Sequence, residues 1–297
     1  MKHAYLIMGH NNFETLKKLI GCLDDPHNDI YIHIDKKVKN WDTTQWAGKV
    51  LTKHSQVYCI ERIKVGYLNY SQVKVVVALF SKATETYHDY YHILSTADLP
   101  IKSNNYIDSF FLANNGKEFI GFANSISKDS VCQRNYFLPL IRSRYKFIRS
   151  TSIWLRKLLI DLQKRVGYDL SKKYKGEIKK GADWYSITHA AASYLLVNEA
   201  EFRRLFYRAF CPSEFFAQTI LFNSPFRSNL YSIDDENIGS QRYIDWERGQ
   251  PYVYRKIDFD TIMGSPFLFA RKFLETIDNE IIERIVDFIK KENSIDE

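Results

Sequence analysis

The sequence lacks most of the devices that announce a chemistry at sight. It has 12 glycines in 297 residues, and none falls in a G-x-G-x-x-G or P-loop run, so a phosphate cradle of backbone amides is not expected. No G-x-S-x-G elbow is present and the eight histidines show no pairing pattern, which removes support for Ser-His-Asp hydrolysis. The four cysteines, Cys22, Cys59, Cys132 and Cys211, are scattered without a C-x-x-C pair. That spacing argues against zinc or redox work and fits a reducing, cytoplasmic setting. No apolar run approaches the roughly 20 residues of a membrane span. The opening stretch, Met1 to Met8, is too short for a signal peptide and reads as a first strand. Helix-turn-helix, RNP-type and zinc-finger signatures are missing, so nucleic acid is not an expected partner.

What is present is a core. Hydrophobic residues make up 45% of the chain and aromatics 15%, enough for one large packed unit. The net charge of +7 favours acidic partners such as phosphates or anionic lipid. The first third alternates strand-like and helix-like segments: strands at Ala4 to Met8, Ile30 to Ile34, Val57 to Ile60 and Tyr90 to Leu94, with helices at Asn12 to Leu23 and Tyr70 to Thr84. That alternation implies a largely parallel sheet, whose ligands sit beyond the carboxyl ends of the strands. His10, Asp35 and Asp98 are therefore expected on one rim. A helix over Asn104 to Asn114 and a strand over Phe119 to Ala123 follow.

From Asn124 to Lys180 the pattern loosens. Arg142, Arg144, Lys146, Arg149, Arg156, Lys157, Lys164 and Arg165 interleave with Tyr145, Phe147, Ile153, Trp154, Leu155, Leu158, Leu159 and Leu162. This spacing predicts an inserted helical segment with a basic and an apolar face, either a solvated surface or a peripheral contact with a membrane. Regular structure is expected again as a strand over Gly181 to Ile187, helices to about Arg208, a strand over Arg242 to Trp246, and a terminal helix over about Glu275 to Lys290. The organisation expected is a single domain over 1–297: a nucleotide-binding half (about 1–123), the basic insertion (about 124–180) and an acceptor and catalytic half (about 181–297).

Three local patterns carry candidate chemistry. Pro212 and Ser213 suit a helix start, so Glu214 falls in the first turn of a helix anchored by Phe215, Phe216, Thr219 and Ile220. A carboxylate there serves the helix dipole, or acts as a general base. Asp258-Phe259-Asp260 has the D-x-D form of divalent-ion sites, but lies far from the early strands and reads as an acidic helix start. Arg271-Lys272, set between Phe269 and Phe273, suits phosphate binding by side chains alone, or the start of a helix.

These stretches gain meaning from their order. Tyr31-Ile32-His33-Ile34-Asp35-Lys36-Lys37, Ser95 to Asn104, Gly181-Ala182-Asp183-Trp184, Pro212-Ser213-Glu214-Phe215-Phe216 and Phe269-Ala270-Arg271-Lys272-Phe273 together resemble the core-2/I-branching β-1,6-N-acetylglucosaminyltransferases and the peptide O-xylosyltransferases, with their bacterial relatives. The resemblance covers roughly Ala4 to Phe273. It implies an α/β GT-A-like fold with a Rossmann-type, mostly parallel sheet flanked by helices. It also implies inverting transfer of an N-acetylglucosamine or xylose-like sugar from a UDP-sugar to a glycan or lipid-linked acceptor, in surface polysaccharide synthesis, with no metal or other cofactor. By the same resemblance Glu214 is the general base. Asp35, Tyr67, Arg271 and Lys272 hold the donor, and Asp183 and Trp184 face the acceptor; from their expected place on the rim, His10 joins the donor side and Asp98 the acceptor side. A second phosphate-binding arginine of the branching enzymes has no secure counterpart; Arg242, Arg248 and Arg255 are candidates, or Arg271 stands in for it. The expected setting is cytoplasmic, with a peripheral hold on the inner membrane face. The competing reading is a non-catalytic sugar-nucleotide or glycan-binding protein at the membrane surface.

Overall fold

The structure, a computed structural model, describes residues 1–123, 135 and 145–296. Arg142, Arg144 and Cys132 lie outside the described residues.

The strand and helix alternation of the first third is present. β1 (His3–Gly9), β2 (Asn28–Ile34), β3 (Gln56–Cys59) and β4 (Tyr90–Ser95) alternate with α1 (Phe13–Cys22) and α2 (Ser71–Ala83). β1 pairs in parallel with β2 and with β4, and β2 in parallel with β3. Such a sheet is covered on both faces, and β1 shows why its sequence is apolar throughout. Ala4 and Leu6 enter a core with α2, whereas Tyr5 and Ile7 enter a second core with α1. Period-two alternation thus divides one strand between two apolar layers.

The chain then departs from the expected pattern. Beyond β4, Asp98–Pro100 forms β5, a strand not expected from the sequence and the edge of a second, three-stranded sheet. Phe119 to Ala123 forms no strand; Glu118 and Phe119 make isolated bridges to Leu230 and Ser186. Of the strand expected over Gly181 to Ile187 only β6 (Ser186–Thr188) is formed, antiparallel to β4 at the sheet edge. α3 (Asn104–Ala113) precedes the insertion, and α4 (Lys146–Arg165) is its long helix. After β6 run α5 (His189–Phe206) and α6 (Ser213–Phe222), and then α7 (Glu236–Ser240) and β7 (Arg242–Ile244). α8 (Phe259–Met263), β8 (Phe269–Arg271) and α9 (Asn279–Asp296) complete the chain. β8 lies between β5, antiparallel to it, and β7, parallel to it. The expected terminal helix begins at Asn279 rather than Glu275. Glu275 instead turns back to accept from the Thr15 N–H and hydroxyl in α1.

Candidate active site

The carboxyl ends of β1, β2 and β4 form a rim, as a parallel sheet requires. Gly9 closes β1 where no side chain fits: a Cβ there would lie 2.2 Å from Thr96 Cγ2. Beyond the rim is a cavity of about 280 Å³. His10, His33, Asp35, Gln72, Ser95 and Thr96 line it from the first half of the chain, and Asp183, Trp184, Ser213, Arg271 and Lys272 from the second. Residues more than 250 positions apart therefore share one cavity.

Asp35 is fixed by its own loop. Its carboxylate accepts from the Lys37 and Val65 N–H groups at 2.9 and 3.2 Å and pairs with the Lys37 ammonium at 3.2 Å. Burial opposes the charge, but these donors outweigh it and hold the acid below the usual carboxylate range. Arg62 secures the turn by donating to the carbonyls of Ile34, Asp35 and Val38. His33 is kept neutral, its pKa lowered to about 4 by burial, and its Nε2 accepts from the Ile63 N–H.

The cations stand at the end of β8 rather than at a helix start. Phe269 and Phe273 are fully buried on either side, and the backbone is tied by Phe273 N–H to Ala97 O and Tyr254 N–H to Lys272 O, both at 2.9 Å. The Arg271 guanidinium lies 3.8 Å from the centre of the Trp184 ring. It also pairs with buried Asp98 at 3.1 Å. Burial lowers its pKa, against the pull of Asp98 and Asp183. Burial and the neighbouring guanidinium likewise lower the pKa of Lys272. A cavity already holding two adjacent cations favours an anion there.

The structure places Asp98 behind this wall, bound to Arg271, and outside the cavity lining. Tyr67 is exposed and is not a lining residue. The three candidate second arginines also lie elsewhere. Arg242 is buried, donating to Ser240 O and Ser186 Oγ over the Phe269 ring. Arg248 pairs with Asp245 and Asp258, and Arg255 caps the turn that Asp258 closes. Asp258 thus serves local structure.

Carboxylates gather around Gly181 to Trp184. Glu214 is in the first turn of α6, as expected, but Pro212 occupies the cap and Ser213 is the first helical residue. The Ser213 hydroxyl instead favours the charged form of Asp183. Asp183 is pushed up to about 7, by burial first and the nearby Glu214 charge second, against Ser213, Arg271 and Lys180. Its Oδ1 is shielded from solvent with no hydrogen-bond partner among the described residues. Glu214 does not line the cavity; its carboxylate pairs with Lys180 at 2.8 Å. Glu236 completes the group, accepting from the Ala182 N–H at 2.6 Å, with its pKa raised by burial and by Glu214. Gly181 permits this crowding, since a Cβ there would lie 2.1 Å from Gly121 O. Glu236, His33, Gln72, Thr96 and Ser213 were not singled out as site residues from sequence.

A family model described as Core-2/I-Branching enzyme matches residues 3–262. The chain belongs to that family. This places it among the glycosyltransferases, as the five ordered motifs implied. Xylosyltransferase 2 of Rattus norvegicus is 22% identical over 312 residues, covering 96% of this chain and 33% of its own. Xylosyltransferase sqv-6 of Caenorhabditis elegans is 23% identical over 302 residues, covering 94% of this chain and 35% of its own. The chain thus spans about a third of the length of these curated relatives. Among solved structures, the apo-form glycosyltransferase GlyE of Streptococcus pneumoniae TIGR4 aligns over 56% of this chain and 39% of its own, with 16% identity and a TM-score of 0.26. Likeness that slight bears on nothing further.

Proposed function

We propose that the chain is an inverting, metal-independent glycosyltransferase of GT-A type that moves an N-acetylglucosamine or xylose-like sugar from a UDP-sugar to a hydroxyl of a glycan or lipid-linked acceptor. The observation that carries the reading is the cavity wall on which Arg271 and Lys272 stand beside Asp183, with Asp35 on the same cavity. Lys272 and Arg271 take the diphosphate, and Asp35 and His10 the nucleoside end. Trp184 holds Arg271 in place from its ring face and borders the sugar.

Inverting transfer forms a bond from the acceptor oxygen to the anomeric carbon as the bond from that carbon to the diphosphate oxygen breaks, through an oxocarbenium-like transition state. The acceptor proton passes to a carboxylate, and the negative charge leaves with UDP. The cations neutralise that charge as it develops. Glu214 is the proposed base, positioned by α6. A specific feature also favours Asp183 for this role. It lines the cavity, its Oδ1 is shielded without a partner, and it titrates near neutrality, the range in which a general base works best. The acceptor lies against this carboxylate group.

Purified protein incubated with UDP-N-acetylglucosamine or UDP-xylose and an oligosaccharide acceptor in excess EDTA is expected to release UDP, with the new linkage of inverted configuration by NMR. Strict dependence on a divalent ion would overturn metal independence. UDP-sugar binding with no turnover for any acceptor would favour the binding-protein alternative.

A further inference from the structure

α4 is the one long helix among the described residues with no buried residue. Its faces are nevertheless sharply divided. Phe147, Ile148, Trp154, Leu155, Leu158 and Leu162 fall within about a third of the circumference at 3.6 residues per turn, and every one is exposed, Phe147 by 80% and Trp154 by 62%. The side facing the protein, through Ile153, Leu159 and Gln163, is half-buried, and Gln163 exchanges hydrogen bonds with the Asn135 backbone. The apolar ridge therefore points away from the fold. Lys146, Lys157 and Lys164 run along one flank of the ridge and Arg165 stands at its C-terminal end, against a single anion, Asp161; Arg149 and Arg156 fall on the side facing the protein.

We propose that α4 docks on an anionic lipid surface, its apolar ridge entering the headgroup boundary and its cations resting on the lipid phosphates. An apolar stripe bearing Trp and Phe beside a strongly basic face is the composition of an interfacial helix. Charge decides between lipid and a second copy of the chain. A seam between two α4 helices would set these four cations against four, whereas an anionic leaflet complements them. The helix lies on the surface rather than crossing it, since no helix of the described residues is long and apolar enough to span a membrane.

The insertion is rooted beside the carboxylate group near the cavity. Ala123 and Lys180, which bracket the insertion in sequence, are joined by the Ala123 N–H to Lys180 O bond of 2.8 Å. Lys180 itself pairs with Glu214. On the reading of the cavity as a glycosyl-transfer site, docking would bring its acceptor wall to the bilayer, suiting an acceptor with a lipid tail. Docking itself does not depend on that reading.

The test is co-sedimentation of the full chain with phosphatidylcholine vesicles, with and without phosphatidylglycerol, at low and high salt. The wild type should bind the phosphatidylglycerol vesicles and release as salt screens the cations. A Trp154→Glu/Leu158→Glu variant should lose binding with unchanged circular dichroism and Tm, because both positions are solvent-facing. Lys157→Glu/Lys164→Glu should bind anionic vesicles about tenfold or more weakly, each cation near such a surface being worth roughly fivefold. Absence of wild-type binding, or full binding by the Trp154/Leu158 variant, would overturn the proposal. So would a wild-type dimer that this variant converts to monomer without any vesicle binding. Transfer to a soluble oligosaccharide should be equal in wild type and the Trp154/Leu158 variant. Vesicle binding with no transfer to any acceptor would sink the glycosyl-transfer reading and leave docking standing.

Discussion

Asp183 and Glu214 carry the same group in different surroundings, and that difference is measurable. Burial and the neighbouring Glu214 charge raise the Asp183 pKa to about 7, so as the base it would be half-active near neutrality. kcat/KM should then climb through pH 6 to 8, and Asp183→Asn should lower the rate by about 10²–10⁴-fold and flatten the climb. If the climb persists in Asp183→Asn and disappears in Glu214→Gln, Glu214 is the base. Sequence made both residues visible because each sits in a short motif with its own anchors, Trp184 for one and Phe215-Phe216 for the other. It did not show Glu236, whose bond to the Ala182 N–H spans 54 positions. Nor did it show the role of Asp98, since the partner that keeps this carboxylate behind the cavity wall is 173 residues away.

At the scale of elements, short strands are where periodicity fails. β5, β6, β7 and β8 have three residues each, too few for an alternation to be read. The buried Asp98–Arg271 pair joins the ends of β5 and β8 in register. Asp98→Ala would strand a guanidinium in the interior, and should cost about 3–5 kcal/mol in urea unfolding; a loss below 1 kcal/mol would show the strands hold without it. A second link fastens α5. Glu118 accepts from the Thr188 N–H and hydroxyl, and Thr188 in turn caps α5. Burial raises the Glu118 pKa from its ordinary 4.5 to about 7 despite those bonds. The folded state thus holds this proton more tightly than the unfolded chain. Its contribution to stability is fully present below about pH 4.5 and is lost as pH rises through about 7, roughly 3 kcal/mol in all. Glu118→Gln keeps the shape without the titration, so its Tm should fall less than that of the wild type between pH 5 and 8. Parallel Tm curves for the two proteins would refute this account.

At the scale of the whole molecule, the parallel sheet was legible because β1, β2 and β4 bury both faces and each crossover helix has a clear apolar stripe. The second sheet was not, since it is assembled from β5 and from β7 and β8 far along the chain. That second sheet is what completes the cavity: it carries Arg271 and Lys272 from the last third of the sequence to the rim set by Gly9, Ile34 and Ser95. A ligand bridging the two sides should therefore stabilise the fold as a unit. Bound only by the folded state, UDP at 100 times its Kd adds about 2.7 kcal/mol by mass action. For a chain this long that is a rise of about 5 °C in Tm, at roughly 2 °C per kcal/mol. EDTA should leave the rise intact if cations of the protein, rather than a metal, hold the diphosphate. Lys272→Ala should abolish most of it, while uridine, which lacks the phosphates, should give little shift with either protein. Equal shifts for UDP in wild type and Lys272→Ala would mean that the diphosphate does not rest on β8, and the proposed donor orientation would have to be reversed.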